Sequence, residues 1–147
     1  MSTKKPLSKR QVALKYGFKS GLEHDVVDYL HSLGVDARYE ELKYSFTQPE
    51  KKRTYTPDIF IYNKAGALKY VIETKGRFTT VDRQKMNWVS QQYPDVEFRL
   101  LFSNDNAKLS KSSKTTYAKW SEKAKFIFSK FTKKKPVPDD WIEDIEK

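Results

Sequence analysis

The sequence contains no cysteine, which excludes disulfides and thiolate metal sites. It has only two histidines, His24 and His31, which argues against a structural zinc site. No apolar run approaches the length of a membrane span. Residues 1–19 are basic and polar, without the hydrophobic region of an export signal. The expected location is therefore the cytoplasm, with no membrane partner. Internal repeats and low-complexity tracts are absent apart from lysine clusters. What is present suits a folded domain: 147 residues, 14% of them aromatic and 33% charged, enough to bury one core.

The net charge is +10, and it is unevenly placed. Residues 1–19 carry six Lys/Arg and no acid, and residues 106–137 carry ten Lys against the single Glu122. The middle of the chain is close to neutral and the last ten residues are acidic. Basic flanks of this kind suit a polyanion, because each lysine that neutralises a phosphate releases counterions. Lys4, Lys5, Lys9 and Arg10 in the first flank, with Lys108, Lys111 and Lys114 in the second, are the candidate contacts. A solvated lysine-rich surface explains the same charge, so charge alone does not decide.

Residues 20–33 read as a first helix, with Leu22, Val26, Val27, Leu30 and Leu33 on one stripe and Gly34 just past its end. Residues 35–46 read as extended chain, and 48–53, broken by Pro49, as a bridge or loop. Residues 59–62 and 68–73 read as two strands joined by a tight turn at Lys64-Ala65-Gly66-Ala67. A second helix is expected over 80–92, started by Thr79 or Thr80 and stopped by Tyr93-Pro94. Residues 96–102 form an apolar strand expected at the sheet's centre. A basic loop (103–116), a short helix (117–123) and the run Phe126-Ile127-Phe128 follow. This order predicts an α/β fold, a mixed sheet flanked by helices.

Closing the hairpin on Ala65-Gly66 pairs residues whose numbers sum to 131. Asp58 then faces Glu73, Phe60 faces Val71 and Tyr62 faces Lys69, each pair on one side of the sheet. Lys75 projects from the same side as Glu73, while Ile59, Ile61, Tyr70 and Ile72 form the opposite side and are free to pack on a helix. Two opposed carboxylates are destabilising unless a positive charge lies between them. A hard cation with oxygen ligands such as Mg²⁺ is the natural occupant, since it takes one or two carboxylates and keeps positions for water and phosphate. Lys75 adds a local positive charge that can orient the attacking water or stabilise the charge developing on phosphorus. A Glu-x-Lys alone also describes an ordinary surface pair. The spacing Pro57-Asp58, fourteen residues, then Glu73-Thr74-Lys75 is far more specific.

Two roles are open to Glu23. Ser20-Gly21-Leu22-Glu23 is a capping box, which would account for the residue structurally. Glu23 also lies one turn before Val26 and Val27, at the edge of the apolar stripe, where its carboxylate could face the sheet.

Further motifs extend the pattern: Phe18-Lys19-Ser20-Gly21-Leu22-Glu23, Tyr39-Glu40-Glu41, Thr54-Tyr55-Thr56-Pro57-Asp58, Val71-Ile72-Glu73-Thr74-Lys75-Gly76, Phe102-Ser103 with Lys108-Leu109, and Trp141-Ile142. Together they resemble the phage endonuclease I family of Holliday-junction resolvases, a branch of the restriction-endonuclease-like nucleases, over residues 18–142. The resemblance implies a restriction-endonuclease-like fold in which residues 1–17 are a basic arm and 18–147 one nuclease domain. It implies two Mg²⁺ or Mn²⁺ ions per site, Asp58 bridging them. Glu73 and the Thr74 carbonyl would hold one ion and Glu23 the other, with Lys75 serving water or phosphate. It also implies an intertwined homodimer, with residues 44–53 as the bridge and Glu23 supplied to the partner's site. The substrate implied is a four-way DNA junction, read by shape and backbone charge. Two departures from the family pattern stand out: the Asp58–Glu73 hairpin is longer, and the basic loop 110–116 differs in glycine and proline. A related nuclease acting on other branched, mismatched or nicked DNA, and a catalytically silent DNA-structure binder, are the competing expectations.

Overall fold

The computed structural model describes residues 21–48 and 51–147. The expected basic arm over 1–17, with Lys4, Lys5, Lys9 and Arg10, lies outside the described residues, as does the Ser20 cap. Helix α1 (Gly21–Ser32) buries Val26, Val27 and Leu30, as their helical spacing requires. Leu33 departs from the expected stripe and is 49% exposed. The helix has already ended, and Gly34 turns the chain at φ 72°. Val35 N–H donates to the Leu30 carbonyl and Gly34 N–H to that of His31, both at 3.0 Å. These are the two closing bonds of a Schellman motif.

Strand β1 (Asp36–Tyr39) is followed by Glu40 in a left-handed conformation, φ 46°, where the chain leaves the main sheet. Strands β2 (Tyr44–Gln48) and β3 (Lys51–Tyr55) pair antiparallel as a separate two-stranded hairpin. This corrects the expected loop over 48–53. Residues 44–48 and 51–53 of the expected bridge (44–53) therefore pair within one chain.

Strands β4 (Ile59–Tyr62) and β5 (Leu68–Lys75) form the predicted hairpin, with Ile59 opposite Ile72, Phe60 opposite Val71 and Ile61 opposite Tyr70. The register then slips, so that Tyr62 faces Leu68 and not Lys69. The slip lies beside the turn, where Gly66 adopts φ 85° and the Asn63 side chain accepts from Ala67 N–H at 2.8 Å. One residue is absorbed there, and the rest of the ladder keeps its pairing.

Helix α2 (Thr80–Gln92) has the expected bounds, with Thr79 as N-cap and Asp82 completing a capping box. Strand β6 (Phe98–Phe102) is buried throughout and runs parallel between β5 and β7 (Ile127–Lys130). The sheet order β1-β4-β5-β6-β7 makes β5 the central strand instead of β6. Helix α3 (Tyr117–Lys123) crosses from β6 to β7, and α4 (Asp139–Glu143) with a 3₁₀ turn (Asp144–Glu146) ends the chain.

Each face of the sheet has its own core. On one, Ile59, Ile61, Tyr70 and Ile72 pack on Val26, Val27 and Leu30 of α1 and on Trp141 and Ile145, as the alternation predicts. On the other, Phe60, Val71, Leu100 and Phe102 pack on Met86 and Val89 of α2, with Phe46 and Tyr55 from the small hairpin. Burying each such aliphatic or aromatic side chain stabilises the fold by about 1.5–3 kcal/mol. Arg99 is 4% exposed and ties the C-terminal segment down, paired with Glu97 at 2.7 Å and Asp144 at 3.1 Å. Its guanidinium stacks 3.8 Å from the centre of the Tyr70 ring, and Tyr70 Oη donates to the Trp141 carbonyl at 2.7 Å.

Candidate active site

Alternation along β5 sends Glu73 toward the α2 side of the sheet and Thr74 toward the α1 side. Asp58 sits one residue before the Ile59–Ile72 pair, opposite the end of β5. Its carboxylate does not point straight across at Glu73. Oδ2 accepts from both the amide and the hydroxyl of Thr74, each at 2.9 Å. Asp58, Glu73 and Thr74 are all buried, at 5%, 5% and 8% exposure. The hairpin thus delivers two desolvated carboxylates to one strand end, with Thr74 fixing the orientation of the first.

Glu73 is held by two neighbours, with a third charge nearby. Tyr55, at the end of β3, donates its hydroxyl to Oε2, and the Lys75 ammonium lies 3.6 Å from Oε1. Lys85 of α2 lines the same cavity. Burial, and then the charge of Asp58, push the Glu73 carboxyl up to about 8, although Lys75, Tyr55 and Lys85 all work against the rise. Burial likewise pushes the Tyr55 hydroxyl well up, with Glu73 adding to it. Lys75 is bracketed: besides Glu73 it donates to Asp82 Oδ1 at 3.2 Å. Burial disfavours the Lys75 charge, yet these two carboxylates outweigh it and raise its pKa. The other oxygen of Asp82 accepts from the Thr79 amide and hydroxyl, each at 2.9 Å. The cap that starts α2 therefore also positions Lys75.

Glu23, also 5% exposed, reaches the site from α1, with Tyr39 Oη 3.5 Å from its Oε2. Glu23, Asp58, Glu73, Thr74 and Lys75 line one cavity of about 350 Å³, with Tyr55 and Lys85 among its other walls. Among the described residues, no three carboxylate or imidazole side chains converge closely enough to grip one ion as they stand. Like charges repel, and each carboxylate turns to its own donor: Tyr39, Thr74, or Tyr55 with Lys75. Oxygen atoms are all the cavity offers a cation.

A sequence model of phage endonuclease I matches residues 4–147. The chain belongs to the phage endonuclease I family. It is 35% identical over 130 residues to Endonuclease I of Escherichia phage T7, covering 88% of this chain and 81% of that relative. It is 38% identical over 112 residues to Endodeoxyribonuclease 1 of Enterobacteria phage T3, covering 76% of this chain and 70% of that one. As a member of the family the chain is an endonuclease, and among its described residues no helix is long and apolar enough to cross a membrane. In this endonuclease the basic loop leaves β6 beside the end of β5, where Ser103 N–H donates to the Lys75 carbonyl at 3.0 Å. Lys108, Lys111 and Lys114 are exposed along it. Sequence reasoning did not find Tyr55, Asp82 or Lys85. Tyr55 lies inside the Thr54–Asp58 motif, and Asp82 stands three residues after its capping Thr79, so both carried a signal. Lys85 carried none.

Proposed function

We propose that this chain is a divalent-metal-dependent DNA endonuclease that resolves four-way junctions by cutting opposed strands, and that it works as an intertwined homodimer. The observation that carries the reading is a polar cavity lined by three buried carboxylates and a lysine gripped by two acids, at the strand end from which the lysine-rich loop departs. The names of the phage T7 and T3 relatives support the nuclease activity, and that of the T3 relative supports DNA as its substrate.

The donor set fits a hard divalent cation. Glu23, Asp58 and Glu73 supply only carboxylate oxygens, the Thr74 carbonyl is a further oxygen donor, and no thiolate is available. Two Mg²⁺ or Mn²⁺ ions would be held by Glu23, Asp58, Glu73 and Thr74, as in the sequence-based expectation. When bound, such ions lower the pKa of an attacking water and neutralise charge on the phosphodiester. The chain's own groups do the positioning. Thr74 fixes the Asp58 carboxylate, Tyr55 fixes that of Glu73, and Asp82 holds the Lys75 ammonium beside Glu73. Lys75 then presents a preorganised positive charge, which stabilises developing negative charge without reorganisation.

The two-stranded β2–β3 hairpin supports the exchanged dimer. It lies in the covalent connection between the α1–β1 unit and β4, and among the described residues its strands belong to no larger sheet. Opening it at the connection between Gln48 and Lys51 would let α1, with Glu23, dock on a second chain through the contacts it makes here within one. Phosphate contact by Lys108, Lys111 and Lys114 would then suit recognition by backbone charge and shape. The test compares cleavage of a synthetic four-way junction with that of its linear arms, in Mg²⁺ and in EDTA. Selective cutting of the junction, only in Mg²⁺, is expected. Equal cutting of both substrates would refute junction selectivity and favour a nuclease for other DNA. Tight binding without cutting would make the chain a silent binder.

A further inference from the structure

The cavity contains two lysines, and among the described residues only one of them is in an ion pair. Lys75 lies 3.6 Å from Glu73 and 3.2 Å from Asp82, so its ammonium is already engaged before any substrate arrives. Lys85 stands three residues beyond Asp82 on α2, close to one helical turn, and lines the same cavity. Among the described residues no carboxylate lies within ion-pair distance of it. What holds it is the Tyr55 ring, whose centre is 4.8 Å from the Lys85 ammonium. A cation on the face of an aromatic ring is oriented but not neutralised. Tyr55 is itself buried and tied to Glu73, so the ring is a fixed platform.

We propose that Lys85 is a substrate-contact residue, its ammonium taking a non-bridging oxygen of the DNA phosphodiester that enters the cavity. The two lysines divide the work: Lys75 is a fixed charge built into the acidic cluster, and Lys85 is the unmatched charge offered to the polyanion. This rests on the reading of the chain as a DNA endonuclease.

The experiment measures binding of a four-way junction and of linear duplex in EDTA at several salt concentrations, together with single-turnover cleavage in Mg²⁺. Wild type, Lys85→Ala and Lys85→Arg are compared, each checked for an unchanged melting temperature. Each lost phosphate contact makes the slope of log affinity against log salt shallower by about 0.9. Lys85→Ala is expected to show that change and to cut about 10- to 100-fold more slowly, the scale of one charged hydrogen bond. Lys85→Arg is expected to restore the slope and most of the rate. An unchanged slope in Lys85→Ala would overturn the proposal, whatever happens to the rate. So would an Arg variant that recovers neither. Failure of the junction reading is recognised separately, because wild type would then treat junction and duplex alike while the effect of Lys85 is still read on either DNA. A wild type that bound no DNA would sink both.

Discussion

Glu73→Gln should make the metal-free protein more stable at alkaline pH while destroying its activity. In the folded chain, burial and the charge of Asp58 move the Glu73 carboxyl from 4.5 up to about 8. Between those values the folded state keeps a proton that the unfolded chain has released, so stability falls as pH rises through the window. From pH 5 to pH 8 the loss comes to about 3 kcal/mol. That figure is an upper one, because water entering an open cavity softens the desolvation. Glutamine keeps the shape and cannot ionise, so the variant lacks this slope. It also loses the attraction between Glu73 and Lys75, which offsets part of the gain most strongly at alkaline pH. All other groups are common to both proteins, and the difference between them cancels those. The assay is thermal melting in EDTA at pH 5, 6.5 and 8. The gap in melting temperature should widen in favour of the variant by roughly 5–10 °C across this range. Adding Mg²⁺ at pH 8 should then stabilise wild type far more than the variant. A gap that stayed constant from pH 5 to pH 8 would refute the claim that Glu73 is held protonated by its surroundings.

Asp58→Asn and Lys75→Ala should each lower the cleavage rate at least 100-fold while junction affinity in EDTA changes less than threefold; loss of binding would make these residues structural. Arg99→Ala should cost about 2–3 kcal/mol, seen as a lower urea midpoint at unchanged slope. Glu97 and Asp144 are 45% and 37% exposed and rehydrate, so the loss is mainly the guanidinium's stacking on Tyr70 and Trp141. Mixing Glu23→Ala chains with Asp58→Asn chains, with unfolding and refolding together, should restore cutting at one site of the heterodimer. No recovery would count against exchange of α1.

The parts of this fold that sequence reasoning reached are those governed by neighbours along the chain. Thr79 and Pro94 bracket α2 because a cap and a proline act within one turn. The rule that paired numbers sum to 131 holds from Ile59 to Ile61 because a tight turn fixes the register of the two strands it joins. It fails at Tyr62, where a bulge beside that turn absorbs a residue, and bulges leave little trace in a polar sequence. Asp58 shows a subtler limit. Strand alternation places it across from Glu73, yet at the end of a ladder no pairing holds the side chain, and Thr74 offers two donors that a facing carboxylate cannot. The Glu73 environment was out of reach for another reason. Tyr55 comes from a hairpin in a separate sheet, and Asp82 and Lys85 from a helix whose rotation about its axis depends on how Met86 and Val89 settle on the strands. None of these is encoded by spacing to Glu73. Local rules thus locate the acids, while tertiary packing chooses what surrounds them, and the surroundings set whether a buried carboxylate is ionised and which lysine is left to meet the substrate.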